Sequence, residues 1–126
     1  MAQDTANLVG DVMTSPLETI SASATARDAA ERMRAEDINA LFVPGADAGI
    51  VTTTDVLDVV AAGGDPDETD VEDVMTAPVE RVTTGVELNE AAAMMTTYGI
   101  KHLPVIDDHG DYVGMISSTD LTTELA

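Results

Sequence analysis

Two stretches of this chain are near copies of one another. VGDVMTSPLE at residues 9–18 and VEDVMTAPVE at residues 71–80 agree at seven of ten positions, at an offset of 62. The register continues through Ala29/Ala91, Ala30/Ala92, Met33/Met95, Ile38/Ile100, Leu41/Leu103 and Val43/Val105. It then moves to 65, pairing Gly49 with Gly114 and Asp55 with Asp120, so the first copy is three residues shorter at one place. A tight turn tolerates such a deletion, and PGADA and DDHGD, turn-like between apolar runs, mark it.

Each copy has the same internal pattern. Ala26, Ala29, Ala30 and Met33 fall at i, i+3, i+4 and i+7, and Leu88, Ala91, Ala92 and Met95 repeat that spacing, which predicts a helix with one buried stripe. The methionines in these stripes read as core filler. Thr25 with Asp28 forms a capping-box pattern that places the first helix start there. Residues 40–43 and 103–106 read as short buried strands, with residues 48–52 and 113–117 as their hairpin partners. A second helix begins at Thr54-Asp55 and at Thr119-Asp120, where hydroxyl and carboxylate groups cap free N–H groups.

The expected fold class is therefore α+β: two β-α-β-β-α motifs, at residues 7–62 and 71–126, joined by an exposed acidic linker at 63–70. A unit of about 60 residues leaves one face of a small sheet hard to cover. Two such units related by a pseudo-twofold and packed sheet to sheet would solve that, giving one module.

Composition removes several functions. Five basic residues stand against 24 acidic ones, for a formal net charge of -19. No basic face for a phosphate backbone can be assembled, which argues against nucleic acid and against an anionic membrane surface. The charge, with four Arg and one Lys, fits a salt-loaded cytoplasm of a halophilic archaeon, where repulsion is screened within roughly 3 Å at 1 M salt. There is no Cys, so thiolate chemistry is excluded. No apolar run reaches the roughly 20 residues of a membrane span, and the N-terminus lacks a signal pattern. A cytoplasmic location is expected. The carboxylates lack a placed nucleophile, a phosphate loop or metal-spaced histidines, so no catalytic residue and no metal site is expected. The acid-rich run DPDETDVED lacks the glycine and glutamate of a calcium loop and reads as solvated linker.

DVMTSP and DVMTAP opening the copies, GIKHLPVIDDHGDYVGMISSTDL in the second and INALFVPGADAGIVTTTDVL in the first resemble a tandem pair of cystathionine-beta-synthase (CBS) domains, or Bateman module, here standing alone. The resemblance implies a regulatory sensor without chemistry of its own. It also implies an adenosine-containing ligand (AMP, ADP, ATP or S-adenosylmethionine), bound in clefts between the copies, with no other cofactor. Carried over by position, it implies a first cleft of Thr52, Thr54 and Asp55 with Thr76, Val79, Ile100, Lys101 and His102. It implies a second cleft of Ser117, Thr119 and Asp120 with Thr14, Leu17 and Ile38, whose positions for basic residues hold Asn39 and Ala40.

The chemistry of these residues is compatible with that role. An ionised Asp can accept hydrogen bonds from both ribose hydroxyls, and a helix N-terminus offers N–H groups to phosphate. Asp55 and Asp120 also suit plain helix caps, and His109 in its turn reads as solvent-facing. The resemblance further implies a homodimer and an unidentified regulated protein. The competing expectation is a ligand-free dimerisation or docking module.

Overall fold

The structure is a computed structural model describing residues 7–125. In chain order its elements are α1 (Val9–Val12), α2 (Ala26–Glu36), β1 (Ala40–Val43), β2 (Gly49–Thr52), α3 (Thr53–Ala61), α4 (Val71–Val74), β3 (Val82–Thr83), α5 (Leu88–Tyr98), β4 (His102–Ile106), β5 (Tyr112–Ser117) and α6 (Ser118–Leu125).

The periodic stripes form the long helices. In α2 the Thr25 hydroxyl accepts the Asp28 N–H at 3.1 Å and the Asp28 carboxylate accepts the Thr25 N–H at 3.0 Å, the reciprocal pair that the sequence pattern requires. The helix buries Ala26, Ala29 and Met33 and stops at Asp37, which adopts the left-handed conformation (φ 55°). Its counterpart α5 buries Leu88, Ala91 and Met95 and stops at Gly99 (φ 66°). Glycine enters that region without a Cβ penalty, and Asp is among the few other residues that tolerate it.

The chain forms two compact units, and they do not coincide with the two copies. One runs Glu18–Val79. Its centre is the β1–β2 hairpin, with Leu41 opposite Val51 and Phe42 opposite Ile50. Thr19 bridges Phe42 in parallel, and Thr76 bridges Ile50 antiparallel through bonds of 3.0 and 2.9 Å. Its core gathers Ala29, Met33, Leu41, Val43, Val51 and Val71. The other unit joins the described residues up to Leu17 with those from Glu80 onward. There β3 runs parallel to β4, β5 runs antiparallel to β4, and Thr14 bridges Met115. Its core gathers Val9, Val82, Leu88, Ala91, Met95, Leu103, Val105, Ile116 and Leu121.

Each unit thus takes its last extended segment from the opening DVMT of the other copy. In the Glu18–Val79 unit, the N–H groups of Val71 and Glu72 bond the carbonyls of Ala24 and Ala22 at 2.8 and 3.0 Å. In its counterpart, Val9 and Gly10 donate to Val86 and Thr84 at 2.8 and 3.0 Å. The acidic stretch at 63–70 is mostly exposed, with Pro66, Thr69 and Asp70 half-buried, and it is tied down. Thr69 and Pro66 carbonyls accept the first N–H groups of α2, and Arg27 pairs with Asp67. These bonds satisfy donors that a helix start leaves open.

Candidate ligand-binding site

The two Thr/Ser-x-x-Asp strings sit at equivalent strand-to-helix junctions. At the first, Thr52 ends β2 and caps α3: its hydroxyl accepts the Asp55 N–H at 3.3 Å. Asp55 Oδ2 accepts in return from the Thr52 N–H at 2.8 Å and the Thr52 hydroxyl at 3.0 Å. At the second, Ser117 Oγ accepts the Asp120 N–H at 3.1 Å, and Asp120 Oδ2 accepts the Ser117 N–H at 2.9 Å. The cap role expected of both aspartates is therefore real, and it uses one carboxylate oxygen. The other oxygen of each takes no part in the cap, and a carboxylate oxygen can accept two bonds.

The first turns of these helices are also incompletely satisfied. Thr53 N–H donates to the Asn39 carbonyl at 3.1 Å and Ser118 N–H to the Lys101 carbonyl at 2.9 Å. Asp55 and Asp120 N–H groups go to the cap hydroxyls. Between them stand the N–H groups of Thr54 and Thr119, in a first turn where a helix leaves its donors without intrahelical acceptors. Each junction therefore presents an acceptor oxygen, an N–H donor and a hydroxyl, at the positive end of a helix.

The units divide the remaining expected residues. Thr76 and Val79 lie in the unit of Asp55, held to β2 by the Thr76–Ile50 bonds and by the Val79 N–H on the Ala48 carbonyl at 3.1 Å. Ile38 lies there too, its N–H on Met33. Thr14 and Leu17 lie in the unit of Asp120, where Thr14 and Met115 exchange both backbone bonds. Ile100, Lys101 and His102 lie in that same unit, not in the unit of Asp55. His102 stands opposite Ser117 in the β4–β5 ladder. Burial lowers the imidazole's pKa below its ordinary value, while the Asp120 carboxylate raises it and the Lys101 ammonium lowers it further.

Three features were not singled out from the sequence. A Cβ on Gly49 would come within 2.7 Å of the Thr76 carbonyl and 2.9 Å of the Met75 sulfur. One on Gly114 would meet the Thr14 carbonyl at 2.7 Å and the Met13 sulfur at 2.8 Å. Both glycines of the repeated strings are thus required by the DVMT segment that passes over them. Third, a hollow of about 260 Å³ opens beside α3, lined by Asp55, Asp58, Val59 and Val74. Asp58 gives no motif signal, because a carboxylate three residues after another on a helix also reads as solvated surface.

The CBS domain model matches residues 9–62 and 71–126. The chain belongs to the CBS-domain family. Its two β-α-β-β-α motifs make a tandem CBS pair, a Bateman module of the non-catalytic regulatory kind. An uncharacterized protein of Methanopyrus kandleri is 35% identical over 117 residues, which cover 90% of this chain and 60% of that protein. This chain therefore spans less than two thirds of that relative's length. The hexameric CBS-CP12 protein from bloom-forming cyanobacteria matches with a TM-score of 0.85 and 30% identity, over 95% of this chain and 68% of that one. The CBS domain pair of protein MJ0100, solved in complex with 5′-methylthioadenosine and S-adenosylmethionine, matches with a TM-score of 0.81 and 26% identity, over 92% and 93% of the two chains. The cyanobacterial hexamers overturn the expectation of a homodimer. Among the described residues, no helix is long and apolar enough to cross a membrane.

Proposed function

We propose that this CBS pair senses adenosine compounds, holding ribose on Asp55 and on Asp120. The observation that carries the reading is the doubled junction itself. Each Asp commits one oxygen to its capping box and has a second, at the first turn of a helix beside Thr54 or Thr119. Ribose hydroxyls suit the carboxylate and phosphate suits the helix N-terminus. The adenosine ligands of the MJ0100 pair support the ligand class.

In this reading one site is built on Thr52, Thr54 and Asp55 with Thr76 and Val79, and the other on Ser117, Thr119 and Asp120 with Thr14 and Leu17. The charge of -19 supports a protein that works in a salt-loaded interior.

Thermal melts in molar KCl with AMP, ATP and S-adenosylmethionine test the reading. Ligand at 100 times its dissociation constant stabilises the fold by about 2.7 kcal/mol. For a chain of this size that raises the melting temperature by about 10 °C. No shift with any of the three, and no nucleotide in the purified protein, overturns it. Docking to a partner protein is favoured by one observation: Leu57 and Val60, three apart on α3, are exposed at 66% and 55%. In that case Asp55→Ala and Asp120→Ala leave complex formation intact and no ligand shift is seen.

A further inference from the structure

We infer that the outer face of α3, which carries Leu57 and Val60, docks a basic amphipathic helix of a partner protein. This rests on the docking reading above, adds the partner's chemistry, and does not depend on whether the Asp55 and Asp120 sites are filled.

α3 is apolar on two sides. Inward, Val59 is buried and Val56 packs on the core of its unit, which is the stripe that folding requires. Outward, Thr53, Leu57, Val60 and Ala61 fall at i, i+4, i+7 and i+8, on one face of the helix, and all four are exposed. Among the described residues, the large hydrophobic side chains left exposed are Leu57, Val60 and, in the other unit, Tyr98. The fold does not require Leu57: 65 residues on, the second copy forms α6 with an exposed Thr122 in its place. Val60 is also a poorer helix former than the long polar residues that suit an exposed helix position. An apolar pair that neither the core nor the helix uses is a surface for something outside the unit.

The charge around the pair selects the occupant. Between Arg34 and Arg81 the chain has no Lys, Arg or His, and it has twelve acidic residues. Asp58, exposed, flanks Leu57. At the other end of the pair the Gly63 and Gly64 N–H groups bond back to the Val60 and Val59 carbonyls, and the exposed Asp65, Asp67 and Glu68 follow directly. Arg27 pairs with Asp67. The last turn of α3 holds no basic residue, so the negative end of its dipole adds to the same field. A second copy of this chain, at a net charge of -19, is repelled from such a face. A helix with apolar residues three and four apart and Lys or Arg beside them gains both apolar burial and attraction.

The test uses the full chain and two synthetic helical peptides with leucines at i, i+3, i+4 and i+7, one with Lys at the remaining positions and one with Glu. Calorimetric titration gives saturable binding of the Lys peptide and binding at least about tenfold weaker for the Glu peptide. Leu57→Gln and Val60→Gln, which keep helix propensity, each weaken the Lys peptide by about tenfold with the melting temperature of the free chain unchanged. Tyr98→Gln leaves it within about twofold. At 1 M KCl, where the screening length is roughly 3 Å, the Lys peptide binds less tightly but the loss on Leu57→Gln persists, which separates docking from general attraction to an acidic protein. If the Lys peptide does not bind, or binds equally well to Leu57→Gln and Val60→Gln, the docking face itself falls. If the two peptides bind equally and both variants weaken both, docking stands and the basic partner is overturned. Self-association of the parent in sedimentation equilibrium that Leu57→Gln abolishes makes a second copy the occupant and overturns it as well.

Discussion

The starts of α3 and α6 are built from the same bonds and set in different charge. Thr52 with Asp55 and Ser117 with Asp120 make the same reciprocal cap. Asp58 follows Asp55 in α3 and Glu124 follows Asp120 in α6, while Asn39 and Ala40 stand where the second copy has Lys101 and His102. The same bonds are made even where the residues differ, Thr52 against Ser117 and Asn39 against Lys101, because most of them use backbone atoms.

The glycines of the two strings give the largest test of the equivalence. Valine at Gly49 or at Gly114 drives a carbon into a backbone carbonyl at 2.7 Å, and a carbonyl held by a strand bridge cannot swing aside as a side chain would. Each substitution costs about 1–3 kcal/mol. A drop in melting temperature of roughly 4–11 °C follows, similar for both. Gly85→Ala is the control: nothing lies within 4 Å of its Cβ, so it changes stability by less than about 1 kcal/mol. A large loss at only one of Gly49 and Gly114 would break the equivalence of the two junctions.

Those glycines also show where sequence reading stops. The stripes of α2 and α5, the hairpins and the capping boxes rest on residues within a turn or a strand of one another, and local spacing predicts them. The expected helix starts at Thr54 and Thr119 fall one residue inside the observed first residues, Thr53 and Ser118. The need for Gly49 and Gly114 comes from Thr76 and Thr14, distant in sequence, and no local pattern signals it. The exchange of DVMT segments is invisible for the same reason, since a repeat looks self-contained until its last strand is traced to the other copy. The resemblance groups Lys101 and His102 with Asp55, and in the fold His102 stands opposite Ser117 while the Lys101 carbonyl accepts the Ser118 N–H.

The caps provide a smaller and graded comparison. Asp55 accepts two bonds from Thr52, through its N–H and its hydroxyl, whereas Asp120 accepts one from Ser117. Replacing a capping carboxylate by Ala costs about 0.5–2 kcal/mol. Without ligand, Asp55→Ala therefore lowers the urea midpoint more than Asp120→Ala, and the Asn variants, which keep an acceptor oxygen, recover part of each loss. Equal losses would show that the Thr52 hydroxyl bond contributes nothing to the difference between the junctions.

The smallest expected effect is a dependence on pH that belongs to the unit containing Asp120. The unit running Glu18–Val79 has no histidine, while the other has His102 and His109. Burial holds His102 below its ordinary value, against the pull of Asp120 and with the added push of Lys101. An imidazole in the unfolded chain takes up a proton near pH ~6.5, where the buried one still refuses it. As pH falls through that value the unfolded state binds more protons than the folded state, so stability declines; above neutrality the group contributes no slope. Melts from pH 7.5 to 5.5 should show this decline, and His102→Gln should flatten it. Asp107 acts in a separate window. The Asp111 and His109 N–H groups hold its carboxylate below the usual range, so its stabilisation is present above pH ~3.9 and is lost as pH falls below that value. A decline between pH 7 and 5.5 that survives His102→Gln would remove His102 as its source.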